Sequence, residues 1–462
     1  MTPPPLTPSR LTQLRIGFAL RRRLGQRRAY DGTDAAARQS WRAARLTELL
    51  SHAIDNSQFY RLRHAGLLGA PLRDLPVLVK ADLVENFDLL VTDGRLRRAD
   101  LESRLGGEQA RGRHRSDRYR MAISSGSSGS PTVLAFDEAE WVDLIANAAR
   151  ARSLAGSPAA GRVRSAKVGS PSPWHLSSQV PATLQDPRKP SLALSAAAPI
   201  GETVAALQAW SPTILSSYPS MLRPALREQQ AGSMDISPKL VFSSGEHLSE
   251  LTRDLVREVW GVEVFDQYVA TEVGFIAAEC PAHDGLHVLD DHVEVEVVDD
   301  DGMACPAGVE GHVLVTALHS RTIPLIRYRL GDRATLAEGR CSCGRPGPRL
   351  SSIAGRERDL LTFRSAVGPQ DHVTLHPVTM TAVLDRLAVG SWLVVHGPEL
   401  MRLMVSTPAA GFDASATEAE LKRTLSDAGA HRRVEVRVEV VEAIETSASG
   451  KATRFQRLDE VG

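Results

Sequence analysis

The chain has 462 residues, 42% of them hydrophobic, and its 55 lysines and arginines are matched by 55 aspartates and glutamates. That length suggests two or three domains with an ordinary core, and the lack of net charge removes the electrostatic case for nucleic acid or an anionic membrane as a partner. Cys280, Cys305, Cys341 and Cys343 are too few to staple such a chain, and neither a signal-peptide-like apolar region nor a membrane-length apolar window is present, so a soluble protein of the reducing cytoplasm is expected.

Taken in order, the basic stretch from Arg15 to Tyr30 predicts an amphipathic helix, its thin apolar side favouring a solvated face over a membrane-surface role. Apolar residues recur at helical spacing from Asp34 to Leu68, with Thr33 or Asp34 as N-cap. Thr132 to Phe136 reads as a buried strand, Glu138 to Leu154 as a helix, and Ala166 to Ser170 as the approach to a loop. Helices over Thr203 to Trp210 and Ser220 to Gln229 flank a short strand at Thr213 to Leu215. Leu240 to Phe242 is a strand running into Ser243-Ser244-Gly245-Glu246, Leu248 to Trp260 a helix closed by Gly261, and Val262 to Phe265 a strand. Such alternation predicts a mostly parallel α/β sheet with ligand loops at its strand ends.

The texture changes after Asp290. Val293 to Val298 alternates, Asp300-Asp301-Gly302 is a turn, and His312 to Thr316 is a partner strand, an antiparallel pair with one solvated face. Strands at Ser391 to Val395 and Leu400 to Ser406, a helix at Thr417 to Ala428 and alternation from Val434 to Val441 predict a small α+β unit, with Gly355 to Asp359 as the joint. The expected organisation is a large N-terminal α/β domain, residues 1–354, with an antiparallel β subdomain, followed by a small mobile α+β domain, residues 355–462.

Five polar stretches are set on this scaffold: Ser124 to Pro131; Ser243 to Glu246; Tyr268 to Glu272; Arg327 to Asp332 with Gly355-Arg356; and Ser449-Gly450-Lys451. The first is a Ser/Gly run of a kind common in linkers, but its apolar flanks suit a loop whose backbone N–H groups and hydroxyls wrap an anion. In this order the stretches resemble the adenylate-forming (ANL) superfamily, and within it the phenylacetate-CoA ligase family; LPVLVKADLVENF at Leu75 and CSCGRP at Cys341 resemble that branch, and the likeness covers roughly residues 40 to 455.

The resemblance implies a role for each stretch. Ser124, Ser125, Gly126, Ser127, Ser128 and Gly129 would cradle the ATP phosphates, although Ser130 stands where many relatives have lysine. Ser244, Gly245, Glu246 and Tyr268 would border the nucleotide, with Val269 where glycine is usual. Thr271 would bond a phosphate oxygen and Glu272 would hold Mg²⁺, a hard cation suited to a carboxylate. Asp332 would take the ribose hydroxyls, Arg356 the ribose or the α-phosphate, and Lys451 would stabilise charge as pyrophosphate leaves. The hinge would be Asp359 or a changed pivot, since Arg358 replaces the usual aspartate.

The expected function is ATP-dependent activation of a carboxylic acid, aromatic or otherwise planar, as its acyl adenylate, with coenzyme A as acceptor. An amine or a carrier-protein thiol is the alternative acceptor, a homodimer is compatible, and a non-catalytic nucleotide-binding scaffold is the rival, motivated by Ser130, Val269 and Arg358. The acid pocket is expected near Trp174, Tyr218, Ser243, Ser244 and Phe275. Independently, Cys341 and Cys343 with Cys280 suggest a structural Zn²⁺ site completed by His283 or His287, against the plainer reading of reduced, partly buried thiols.

Overall fold

The computed structural model describes residues 10–106, 118–124, 132–156, 163–183, 189–368, 371–444 and 454–458. Its spine is a sheet of 11 strands among the described residues. One half is parallel: Ser191–Ser195, Ser165–Gly169, Ile214–Ser217, Leu240–Ser244 and Val264–Ala270, in spatial order. Gly274–Glu279 then reverses direction and opens an antiparallel half that continues through Leu286–Val288, Arg349–Arg356, Tyr328–Leu336, Glu310–Ala317 and Val293–Val298. The expected α/β class is present, but the sheet is mixed. The stretch from Ala166 to Ser170, expected as a loop approach, is instead mostly strand, because two parallel neighbours bond its backbone on both sides. Met121 and Leu134 belong to a separate two-stranded antiparallel hairpin, Arg120–Ile123 with Val133–Phe136.

The helix Glu138–Leu154 has the bounds the spacing predicts, and its start has a physical cause. Asp137 accepts the Glu140 N–H at 2.8 Å while Glu140 accepts the Asp137 N–H at 2.7 Å, satisfying two donors that a helix N-terminus otherwise leaves open. Asp34 caps Ala35–Asn56 on one side only, accepting the Ala37 N–H at 2.8 Å, and Ser57 ends that helix and caps the next, Gln58–Arg63, so the predicted single helix is two. The basic helix Arg10–Asp31 is not simply solvated: Ile16, Arg27 and Tyr30 are buried while Leu14 and Phe18 are exposed. The strand Val293–Val298 also departs from expectation, since Arg42 at 3.1 Å from Glu294 and Arg327 at 3.1 Å from Glu296 cover the face predicted to be open.

Below the helices lies a layer of paired charge. Arg27 meets Asp291 and Asp143, Arg150 meets Asp291 at 2.5 Å and Asp31 at 2.6 Å, and Arg38 meets Asp290 at 3.4 Å.

Residues 361–458 build a four-stranded sheet of their own, ordered Glu435–Val441, Leu400–Pro408, Val389–Gly397 and Phe455–Arg457, beside the pair Leu361–Arg364 and His372–Leu375. Phe363, Trp392, Leu403 and Leu421 pack into a core separate from that of the large sheet. Among the described residues, no helix is long and apolar enough to cross a membrane.

Candidate active site

The strand Val264–Ala270 turns through Thr271, Glu272 and Val273 into Gly274–Glu279. Gly274 makes the turn possible: its φ is +80°, and a Cβ there would stand 2.8 Å from Leu144 Cδ2. The strand places Tyr268 so that its hydroxyl donates to Asp332 Oδ2 at 2.6 Å. Asp332 pairs in register with Arg356, whose Nε lies 3.7 Å from the other carboxylate oxygen. Three residues widely separated in the chain thus form one polar group, Asp332 and Arg356 on adjacent strands and Tyr268 reaching them from a strand farther along the same sheet.

Glu272 lies beside them. Burial pushes its carboxyl up, Arg356 and Lys80 pull it down, and Asp332 pushes it up again. Among the described residues, no other side chain hydrogen-bonds it. A half-buried carboxylate that no other described side chain hydrogen-bonds suits a cation ligand, and it fits Mg²⁺ by charge and hardness. Lys80 is a residue the motif reading did not assign. Leu78 donates to the Arg327 carbonyl at 3.1 Å and accepts from Arg329 N–H at 2.9 Å, which clips the Leu75 segment to the strand carrying Asp332 and brings Lys80 within electrostatic reach of Glu272.

The other predicted nucleotide contacts divide into those described and those outside. Ser124 closes the neck of its loop, donating from N–H to the Thr132 carbonyl at 3.0 Å and accepting the Thr132 N–H on its hydroxyl at 2.8 Å. Ser125, Gly126, Ser127, Ser128, Gly129 and Lys451 lie outside the described residues. Ser244 ends its strand opposite Gln267, Gly245 turns with φ +82°, and Glu246 accepts from the Ser220 N–H and hydroxyl, each at 3.0 Å. Of the predicted pocket residues, the buried Tyr218 accepts the Ser170 N–H at 3.2 Å, and Ser243 is buried in register with Asp266. Phe275 packs toward Ala151 and Leu154.

The thiols form a second centre. Cys280, His287, Cys341 and Cys343 present donor atoms all within 4.8 Å of one another. Cys280 Sγ is 3.7 Å from Cys341 Sγ, and Cys343 Sγ is 3.4 Å from His287 Nε2. Zn–S bonds of about 2.3 Å at tetrahedral angles require sulfur atoms about 3.8 Å apart, so the donors fit such an ion. His283, which the sequence offered equally, is not part of the group. Its backbone takes φ +48°, its Nδ1 lies 3.2 Å from Glu279, and its ring lies on Phe265. His287 is chosen by register, paired opposite Arg349 on the strand that follows the Cys341 turn.

No protein-family profile matches the chain. A phenylacetate-coenzyme A ligase of Thermus thermophilus is 31% identical over 185 residues, 38% of this chain and 40% of that one. One of Pseudomonas putida is 25% identical over 346 residues, 69% of this chain and 71% of that one. Among solved structures, 2-hydroxyisobutyryl-CoA ligase in the postadenylation state superimposes with a TM-score of 0.71 at 22% identity, covering 93% of this chain and 91% of that one. The same ligase in its thioesterification state superimposes with a TM-score of 0.57. With the mixed sheet and the ordered motifs, these likenesses give the chain the fold of an adenylate-forming CoA ligase and make it similar in sequence to phenylacetate-coenzyme A ligases, the first of which it matches over 40% of that relative's length.

Proposed function

We propose that this chain is an ATP- and Mg²⁺-dependent ligase that converts an aromatic carboxylic acid to its acyl adenylate and passes the acyl group to the thiol of coenzyme A. The observation that carries the reading is the convergence of Tyr268, Asp332 and Arg356 beside the carboxylate of Glu272, which no other described side chain hydrogen-bonds. In this scheme a substrate carboxylate oxygen attacks the α-phosphorus and pyrophosphate departs. Asp332, held by Tyr268, orients the ribose; Arg356 faces the ribose or α-phosphate; and Thr271 donates to a phosphate oxygen. Mg²⁺ on Glu272 would neutralise phosphate charge, while Lys80 supplies positive charge where Ser130 replaces the lysine of many relatives. The loop from Ser124 to Gly129 cradles the outer phosphates and Lys451 stabilises the departing charge. Position and fixed charge do the work in such phosphorus chemistry.

We assign residues 1–354 and 355–462 to the two domains, the second carrying Lys451. The higher superposition score with the postadenylation structure supports an arrangement on the adenylate-forming side of the cycle. The four described thiol and imidazole donors hold a structural Zn²⁺ that ties the turn after Cys280 to the turn at Cys341. Free thiols fit a cytoplasmic location.

Acid-dependent exchange of pyrophosphate into ATP tests the proposal across a panel of aryl and alkyl acids. Exchange with aryl acids, followed by thioester formation with coenzyme A in preference to an amine or a carrier-protein thiol, is the expected result. ATP binding without exchange for any acid would establish the scaffold alternative instead.

A further inference from the structure

Asp385 caps the C-terminal end of the helix Pro377–Leu384 in the C-terminal unit and is buried, yet the groups that satisfy its carboxylate come from the large unit. Arg223 donates to one carboxylate oxygen and to the Asp385 carbonyl, and Ser249 donates to the other carboxylate oxygen at 2.9 Å. Arg227, one turn on from Arg223, donates to the carbonyls of Val389 at 2.6 Å and Leu387 at 3.3 Å. His247 and Arg454 also lie within electrostatic reach of Asp385, and Arg454 within reach of Glu246. A single acidic side chain of one unit therefore sits in a socket of hydroxyl and guanidinium donors built by the other.

The socket is mechanically connected to the strand that follows Lys451 in the chain. Arg227 holds the first residue of the strand Val389–Gly397, and Phe455–Arg457 pairs with that strand at Val394 to His396. Lys451 precedes Phe455 by four residues. A buried ion pair that crosses between two bodies is satisfied in only one relative orientation, because separating them leaves each charge to be resolvated and loses directional bonds.

We propose that Asp385 is a positioning residue whose engagement with Arg223 and Ser249, beside the Arg227 hold on Val389, keeps the C-terminal unit in the orientation that delivers Lys451 for adenylate formation, and that it must leave this socket before acyl transfer. The functional half of this proposal rests on the ligase reading; the socket does not. The test therefore has a structural arm and a catalytic arm. A fluorophore pair attached by non-cysteine chemistry at the exposed residues Asp254 and Lys422 reports the inter-unit distance in the full-length protein without nucleotide.

Asp385→Asn should shift the ratio of docked to undocked molecules about tenfold, and the charge-exchanged pair Arg223→Asp with Asp385→Arg should restore docking in part. In the catalytic arm, Asp385→Asn should slow pyrophosphate exchange about tenfold while leaving transfer from supplied acyl adenylate at the parent rate or above it. Ser249→Ala, which removes one hydrogen bond to Asp385 together with the N-cap of Glu250–Trp260, should give a smaller shift in the same direction and serves if Asp385→Asn does not fold. A distance distribution identical to the parent's would overturn the socket. An altered distribution with equal loss in both half-reactions would overturn the positioning role, whereas a parent lacking exchange altogether would remove the ligase reading and leave the distance result to judge the socket.

Discussion

Beneath the N-terminal helix, Arg27, Arg38 and Arg150 are each met by aspartates, and Asp291 is shared by two of them. Past the end of the strand Val264–Ala270, Glu272 is half-buried, yet among the described residues no other side chain bonds it and desolvation raises its carboxyl. Both regions bury charge, but one is closed on itself and the other is left open. A closed set of charges fixes how helices sit on a sheet. An open one is destabilised until something of opposite charge arrives, which marks it as a place for a ligand.

That contrast can be broken by substitution. In the closed layer, Asp291→Ala strips two arginines of a shared buried partner and should cost about 3–5 kcal/mol in denaturant unfolding, with activity per folded molecule retained. A parent-like unfolding midpoint would mean that the layer is not held by its charges. In the open region, Glu272→Gln should lower pyrophosphate exchange by about 10² to 10³ with stability unchanged or slightly raised, since a neutral amide replaces a desolvated anion. Loss of stability there would place Glu272 in the closed class.

The thiol group is open in the same sense, with four donors converging on one point. Cys341→Ser with Cys343→Ser should abolish near-stoichiometric zinc in protein prepared without added metal and should lower the melting temperature by several degrees. A metal-free parent that melts like this variant would sink the zinc assignment.

Asp266 sharpens the comparison with the smallest effect, because it is intermediate: half-buried, beside Glu279, and accepting the Gln267 N–H at 3.0 Å. Burial, with Glu279 adding to it, pushes its carboxyl up to about 7 from 3.8. The folded state then holds the proton more tightly than the unfolded chain, so this contribution to stability is complete below pH 3.8 and is lost as pH rises toward about 7. Asp266→Asn should flatten that part of the stability profile, and an unchanged slope between pH 4 and 7 would remove Asp266 as its source.

Local signals in the sequence were strong where one stretch of chain decides its own structure. Glu138–Leu154 was legible to the residue, and the structure shows why: its start is fixed locally by the reciprocal caps of Asp137 and Glu140. The strand Ser165–Gly169 was not, because its small residues and central lysine lack a strand pattern and only its two parallel neighbours define it. The supposed open face of Val293–Val298 failed for a related reason, since the arginines that cover it come from distant segments. At the site, the motifs supplied Tyr268, Asp332 and Arg356 by type, but the bond between the first two spans 64 positions and depends on sheet order. His287 over His283 was likewise a question of register, which alternation in one strand cannot answer.

The strand Arg349–Arg356 has His287 opposite its first residue and Asp332 opposite its last, immediately before the short turn Glu357–Asp359 that leads into the C-terminal unit. At about 3.4 Å per residue it is a bar roughly 24 Å long. Its root lies where the thiols converge and its tip leads into the C-terminal unit. A cation bound at the root would therefore act as torsional stiffening for any motion of that unit at the far end. Depleting it should then show up as a broader spread of inter-unit distances in the full-length protein.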